Sequence, residues 1–137
     1  MILHNINSFL DDIFNKIQDK QIDVLDLYLD HLGYQSSSNE DYDLLKPQFL
    51  EIADEKSEAI VGNRRVGIFK LKIPIIYQGR IIPAIELIAP KENQICPSGW
   101  EHVEFVINEE FNKFNKKYSN LSWDTSKTNQ PDFPMIT

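Results

Sequence analysis

Cysteine is almost missing from this sequence: Cys96 stands alone among 137 residues. A single thiol excludes an intrachain disulfide and a cysteine-rich zinc site, and it suits a reducing cytosol. Positive charge is also scarce, with 14 Lys and Arg against 21 Asp and Glu and a net charge of −7. That balance repels phosphate backbones, and no Lys/Arg stripe interleaved with aromatics offsets it, so nucleic acid is not an expected partner. No apolar run approaches the length needed to cross a bilayer, which argues against a membrane partner. The opening Met1-Ile2-Leu3-His4-Asn5 has neither the basic region nor the unbroken apolar core of a signal peptide. The expectation is a cytoplasmic protein.

What is present is a sufficient core: hydrophobic residues make up 42% of the chain, in keeping with one folded domain. Phe9, Leu10, Ile13, Phe14 and Ile17 recur at helical spacing, with Asn7 or Ser8 as cap and Asp11 and Asp12 in the first turn, which predicts a helix near Ser8 to Gln18. Gln21 to Tyr34 is ambiguous. Val24, Leu25, Tyr28, Leu29 and Leu32 fit a helical stripe, whereas Leu29 to Gln35 also reads as a strand. Ser36 to Asn39 is a loop and helix start, followed by an apolar face of Tyr42, Leu45, Phe49 and Ile52; Pro47 must lie in the first turns of that helix or kink it.

From Ser57 the texture changes to β-branched runs at Ala59-Ile60-Val61, Val66 to Leu71 and Ile81 to Ile88, punctuated by Gly62-Asn63 and Gln78-Gly79. These predict a three-stranded meander. Pro90 to Gly99 is a polar loop. A strand at Trp100 then leads into a helix with Phe111, Phe114 and Tyr118 on one side.

Chemistry concentrates in three of these strands. In Gly99-Trp100-Glu101-His102-Val103-Glu104-Phe105-Val106-Ile107, alternation puts His102 and Glu104 on one face and Val103, Phe105 and Ile107 on the other. His31 is isolated in Leu29 to Tyr34, and Glu86 is isolated among apolar neighbours in Ile82 to Ile88. A buried, unpaired carboxylate costs several kcal/mol, so Glu86 needs a metal or a cation; Arg64 or Lys70 could supply an ordinary salt bridge instead. A lone histidine on an apolar strand is often hydrogen-bonded to backbone. Cys96 has no local His or Asp to activate it, and His4 has no assigned role.

Taken together, Asp30-His31-Leu32, Asn63-Arg64, Phe69-Lys70-Leu71, Ile85-Glu86-Leu87 and above all Gly99-Trp100-Glu101-His102-Val103-Glu104 resemble the YecM family, over roughly Ile22 to Thr137. The resemblance places the chain in the vicinal oxygen chelate superfamily, with glyoxalase I, extradiol dioxygenases and bleomycin-resistance proteins. It implies an α+β fold: an N-terminal helical segment (1–28), a first βαβββ module (29–90) and a partial second module (99–137) within a single domain. It also implies a strand for Leu29 to Gln35, equivalent to Trp100 to Ile107, with the N-terminal helix packed outside the repeat.

In such modules a divalent metal is held by the first and last strands. Carried over, the metal ligands are His31, Glu86 and His102, and the fourth ligand would lie on the last strand of the second module. A module running from Leu29 to Pro90 takes roughly 60 residues, and the chain from Gly99 onward is well short of that, so the second module is expected to be unfinished. Phe133 to Thr137 could open one further strand at most.

The His/Glu donor set suits Zn²⁺, Ni²⁺, Fe²⁺ or Mn²⁺. Glu104 is the expected general base, and Arg64 and Lys70 would hold an anionic group of a small-molecule ligand. The implied activity is that of an isomerase, lyase or dioxygenase on a small oxygenated molecule. The alternatives are a non-catalytic binder that sequesters such a molecule, or a module whose exposed sheet edge seeks a partner strand, which makes a homo-oligomer an expectation as well.

Overall fold

The computed structural model describes residues 2–131 and 134–137. Its elements are α1 (Ile6–Asp19), β1 (Tyr28–Gln35), α2 (Asn39–Glu51), β2 (Ala53–Val61), β3 (Arg64–Tyr77), β4 (Arg80–Ile88), β5 (Gly99–Val106) and α3 (Phe111–Lys117). The fold is mixed α and β. The five strands form one sheet in the order β2-β3-β4-β1-β5, in which β1 runs parallel to β4 and antiparallel to β5.

Local chemistry explains the boundaries. The β2–β3 and β3–β4 hairpins turn on Gly62-Asn63 and Gln78-Gly79, all four with positive φ, the backbone that two-residue turns require and that Gly and Asn tolerate. β2 begins at Ala53, ahead of the β-branched run at Ala59, because its pairing with β3 extends to Ala53↔Leu71. At the head of α2, the Ser38 hydroxyl accepts the Asp41 N–H at 2.9 Å, and Glu40 and Asp41 sit in the first turn where the helix dipole favours acids. Pro47 lies beyond the first turns, in the middle of α2, and removes one intrahelical donor. The cap of α1 is Asn5 in the left-handed conformation, without a side-chain bond; Asn7 and Ser8 fall inside the helix. The Leu3 carbonyl accepts the Ile6 N–H at 3.3 Å, so backbone takes part of the place of a side-chain cap.

One face of the sheet is covered by helices. Tyr42, Leu45 and Phe49 of α2 and Ile6 and Leu10 of α1 pack with Leu29, Leu32, Phe69, Ile85 and Leu87 from the strands. Phe49 meets the rings of Phe69 and Tyr34; Phe9 stacks on Trp100, and Phe14 contacts Tyr77 and Phe105. The N-terminal helix therefore contributes directly to the core. The opposite face carries His31, Glu86, His102 and Glu104, and neither helix covers it.

After β5, α3 buries Phe114 against Tyr118 and Trp123, and the Tyr118 hydroxyl accepts the Asp23 N–H. Asp124 and Thr137 exchange two backbone hydrogen bonds. Residues 134–137 join no sheet, and Phe133, the start of the stretch that could open one further strand at most, lies outside the described residues. Among the described residues β5 is the last strand.

Candidate metal centre

Two β-bulges decide which way the functional side chains point. In the β1/β5 pairing Leu29 faces Phe105 and His31 faces Glu104, so Asp30 is an extra residue on β1; Gly33 faces His102 and Tyr34 faces Trp100, so Glu101 is an extra residue on β5. An extra residue inverts the alternation beyond it. Leu29 therefore enters the helix-covered core while His31, two residues on, reaches the open face. Trp100 stacks on Phe9 while His102 points the other way. Two bulges on opposite strands also restore the register, so Tyr28↔Val106 and Gln35↔Gly99 pair normally at the two ends.

β1 lies between β4 and β5, and Gly33 pairs with Glu86 on one side and His102 on the other. A Cβ on Gly33 would fall inside the His102 ring. Because it has none, the ring crosses the strand and its Nε2 comes to 3.5 Å from Glu86 Oε1. His31 reaches the same carboxylate from its own strand, with Nε2 3.5 Å from Glu86 Oε2. The two imidazoles stand nearly perpendicular, their centroids 5.8 Å apart. One ligand atom from each of His31, Glu86 and His102 falls within 4.8 Å of the other two.

The ring nitrogens turned away from Glu86 also meet carboxylates. His31 Nδ1 lies 2.9 Å from Asp30 and 3.4 Å from Glu104, and His102 Nδ1 lies 3.4 Å from Glu101. Asp30, His31 and Glu104 thus form a second convergent group at the other edge of the His31 ring.

The electrostatics follow from this crowding. Burial pushes the Glu86 carboxyl up, but the His102 hydrogen bond and the charges of His31, His102 and, more distantly, Arg64 outweigh it, and the net shift is downward. Burial pulls the His102 imidazole down; its bond to Glu86 and the charges of Glu86 and Glu101 overcome that and hold it above the usual histidine value. Glu104 is raised, first by burial, then by repulsion from Glu86 and Asp30, against the opposing pull of His31.

The site residues expected from sequence thus divide. His31, Glu86, His102 and Glu104 come together on one sheet face. Among the described residues Glu86 forms its ion pairs with the two histidines, and not with Arg64 or Lys70. Lys70 pairs with Glu55 at 3.8 Å and is largely exposed. Arg64 lines a cleft of about 530 Å³ beside Arg65, Lys91 and the start of α2, which none of the four site residues lines. His31 contacts side chains, not backbone, and the Cys96 thiol sits 3.6 Å from the Ser36 carbonyl, away from the site. Asp30, Glu101 and Gly33 escape a reading based on strand alternation. The signal that marks the two acids is their place immediately before each histidine, in Asp30-His31 and Glu101-His102.

Residues 1–133 match the family described as YecM protein. The chain belongs to the YecM family. Its relatives include an uncharacterized protein of Haemophilus influenzae (strain ATCC 51907 / DSM 11121 / KW20 / Rd), 28% identical over an alignment of 118 residues that covers 80% of this chain and 62% of the relative. Protein YecM of Escherichia coli (strain K12) is 26% identical over 86 residues, 63% of this chain and 46% of that protein. Among solved structures, one described as "Structural Genomics, Protein EC4020" shares the fold with a TM-score of 0.73 at 22% identity, covering 87% of this chain and 65% of that one. The chain thus spans less than two thirds of the length of each of these relatives. No helix among its described residues is long and apolar enough to cross a membrane.

Proposed function

We propose that this YecM-family chain binds one divalent metal ion through His31, Glu86 and His102 and works as a cytoplasmic protein of the vicinal oxygen chelate type. One observation carries the reading. Three strands, β1, β4 and β5, deliver two imidazole Nε2 atoms and a carboxylate to a common point, both nitrogens 3.5 Å from Glu86. This donor set fits Zn²⁺, Ni²⁺, Fe²⁺ or Mn²⁺, and three protein ligands leave coordination positions for a substrate or water. The topology is compatible with it: β1-α2-β2-β3-β4 has the element order of one βαβββ module, and β5 stands where the first strand of a second would pair.

A metal held there would supply Lewis-acid stabilisation to the oxygens of a small oxygenated molecule, the chemistry by which an isomerase, lyase or dioxygenase of this type works. Glu104 is the residue to move a proton. Its raised pKa keeps it closer to proton exchange near neutrality than an ordinary carboxylate, and it stands beside His31 instead of bridging the two rings. Lys70 shares the open face with the site but pairs with Glu55, whereas Arg64 is a cation whose charge reaches Glu86, so both stay as the proposed anion-holding residues.

The same open face supports a homo-oligomer. Tyr77 and Arg80 turn toward Phe14 of α1, so their neighbours Ile76 and Ile81, 62% and 60% exposed, point to the uncovered side with Tyr28 and Val106. A second copy laid on this face would bury them and close the metal cleft.

Elemental analysis of the purified protein tests the reading: one divalent metal per chain supports it. Retention of small oxygenated ligands by metal-free protein, with no metal dependence, favours the sequestering alternative.

A further inference from the structure

We infer that Asp30 and Glu101, the two bulge residues, are paired positioning residues that hold the His31 and His102 rings with Nδ1 outward and Nε2 facing Glu86. The inference rests on the metal-binding reading for its purpose, but its geometry stands without it.

Each acid immediately precedes its histidine, and in a regular strand adjacent side chains point to opposite faces. Asp30 and Glu101 reach their neighbours only because both are the unpaired residue of a bulge, one on each of two adjacent antiparallel strands. The outcome is the same twice. His31 Nδ1 lies 2.9 Å from Asp30 Oδ2, His102 Nδ1 lies 3.4 Å from Glu101 Oε2, and both Nε2 atoms lie 3.5 Å from Glu86. A carboxylate accepting the Nδ1–H favours the neutral tautomer in which Nε2 carries the free lone pair, against the pull of Glu86 on that nitrogen, and it raises the basicity of Nε2. Neither acid is a metal ligand in this arrangement. Both are roughly half exposed, so neither serves the core, and a local sequence change at either leaves the packing of the other face untouched. The bulges thus serve two ends: they send Leu29 and Trp100 into the core while turning His31 and His102 outward, and they place an acceptor against each ring.

The test reads tautomers and zinc separately. In metal-free protein with ¹⁵N-labelled histidine at about pH 9, above the ordinary imidazole range, His31 should be in the Nδ1–H form, and His102, where Glu86 competes at Nε2, should hold a measurable Nδ1–H fraction. Glu101→Ala should shift His102 toward the Nε2–H form. Asp30→Ala combined with Glu104→Gln should do the same at His31, since Glu104 lies against the same nitrogen. Glu101→Gln, which keeps an acceptor, should fall between wild type and Glu101→Ala. Circular dichroism should show the fold intact in each. Zinc affinity, measured by calorimetry, should fall on the order of tenfold in Glu101→Ala, with the tautomer.

An Nε2–H tautomer at His31 in wild type, or no change at His102 in Glu101→Ala, overturns the inference even if zinc still binds. A tautomer switch in a protein that takes up no zinc upholds the positioning and overturns only the metal-binding reading.

Discussion

The imidazole of His102 lies across the bare backbone of Gly33, and this contact lets a side chain from β5 touch Glu86 on β4 with β1 in between. Glycine is required here for what it lacks. Gly33→Ala would put a methyl group where the ring now sits; the ring is the movable partner, so the fold survives while His102 swings away from Glu86. The expected result is a zinc affinity lowered about tenfold or more with the melting temperature nearly unchanged. Calorimetry beside thermal denaturation checks it.

Metal uptake should depend steeply on pH. Both imidazoles must be deprotonated to act as ligands, and Glu86 holds the His102 proton more tightly than an ordinary histidine does. A raised pKa enlarges the protonated fraction at any given pH, so apparent zinc affinity should climb as pH rises through and above about 6.5, by up to about tenfold per pH unit for each proton displaced. The mirror effect acts on the metal-free fold. His102 contributes stability that is present below its unfolded pKa and lost as pH rises through its higher folded value, whereas Glu86 contributes stability present above its unfolded value and lost as pH falls through its lower folded one. Urea unfolding with and without chelator, across pH, separates the two.

The helix-covered face should behave as an independent core. Phe49 is fully buried and meets the rings of Tyr34 and Phe69, so Phe49→Ala should lower stability by about 3–5 kcal/mol. At a temperature where that variant is still folded, its zinc affinity should match wild type, because the ligands occupy the other face.

The open face should govern association. Ile81→Glu places a charge in the exposed apolar patch, at a side chain 60% open to solvent, and should leave the fold intact while lowering the apparent mass at high concentration. Sedimentation velocity of wild type and variant reads this directly; a wild type that remains a monomer at all concentrations rules out the homo-oligomer.

Much of the fold was legible because hydrophobic spacing and turn chemistry are local. The α1 stripe, the Ser38 start of α2, and the Gly62-Asn63 and Gln78-Gly79 hairpins can each be found within a few residues of sequence. For Tyr28 to Gln35 periodicity alone left helix and strand open. Its strand state depends on pairing with β4 and β5, whose partner residues lie more than fifty positions away. The placement of His102 and Glu104 on one face followed from alternation, since no bulge separates them. Asp30, Glu101 and Gly33 did not follow, because a bulge is set by the register between two strands and a glycine gap matters only once its neighbours across the sheet are known. Arg64 reads as a pocket residue from its charge at a hairpin; it opens β3 and lines a separate cleft, while its charge still reaches Glu86.

The central claim is that His31, Glu86 and His102 form one metal centre. Zinc titration calorimetry on metal-free wild type and on the His31→Ala, Glu86→Ala and His102→Ala variants tests it most directly. The account predicts one zinc per chain in wild type and loss of that binding in all three variants, each still folded by circular dichroism. Wild-type protein that takes up no zinc, nickel, iron or manganese, or undiminished binding in any of the three variants, would contradict it.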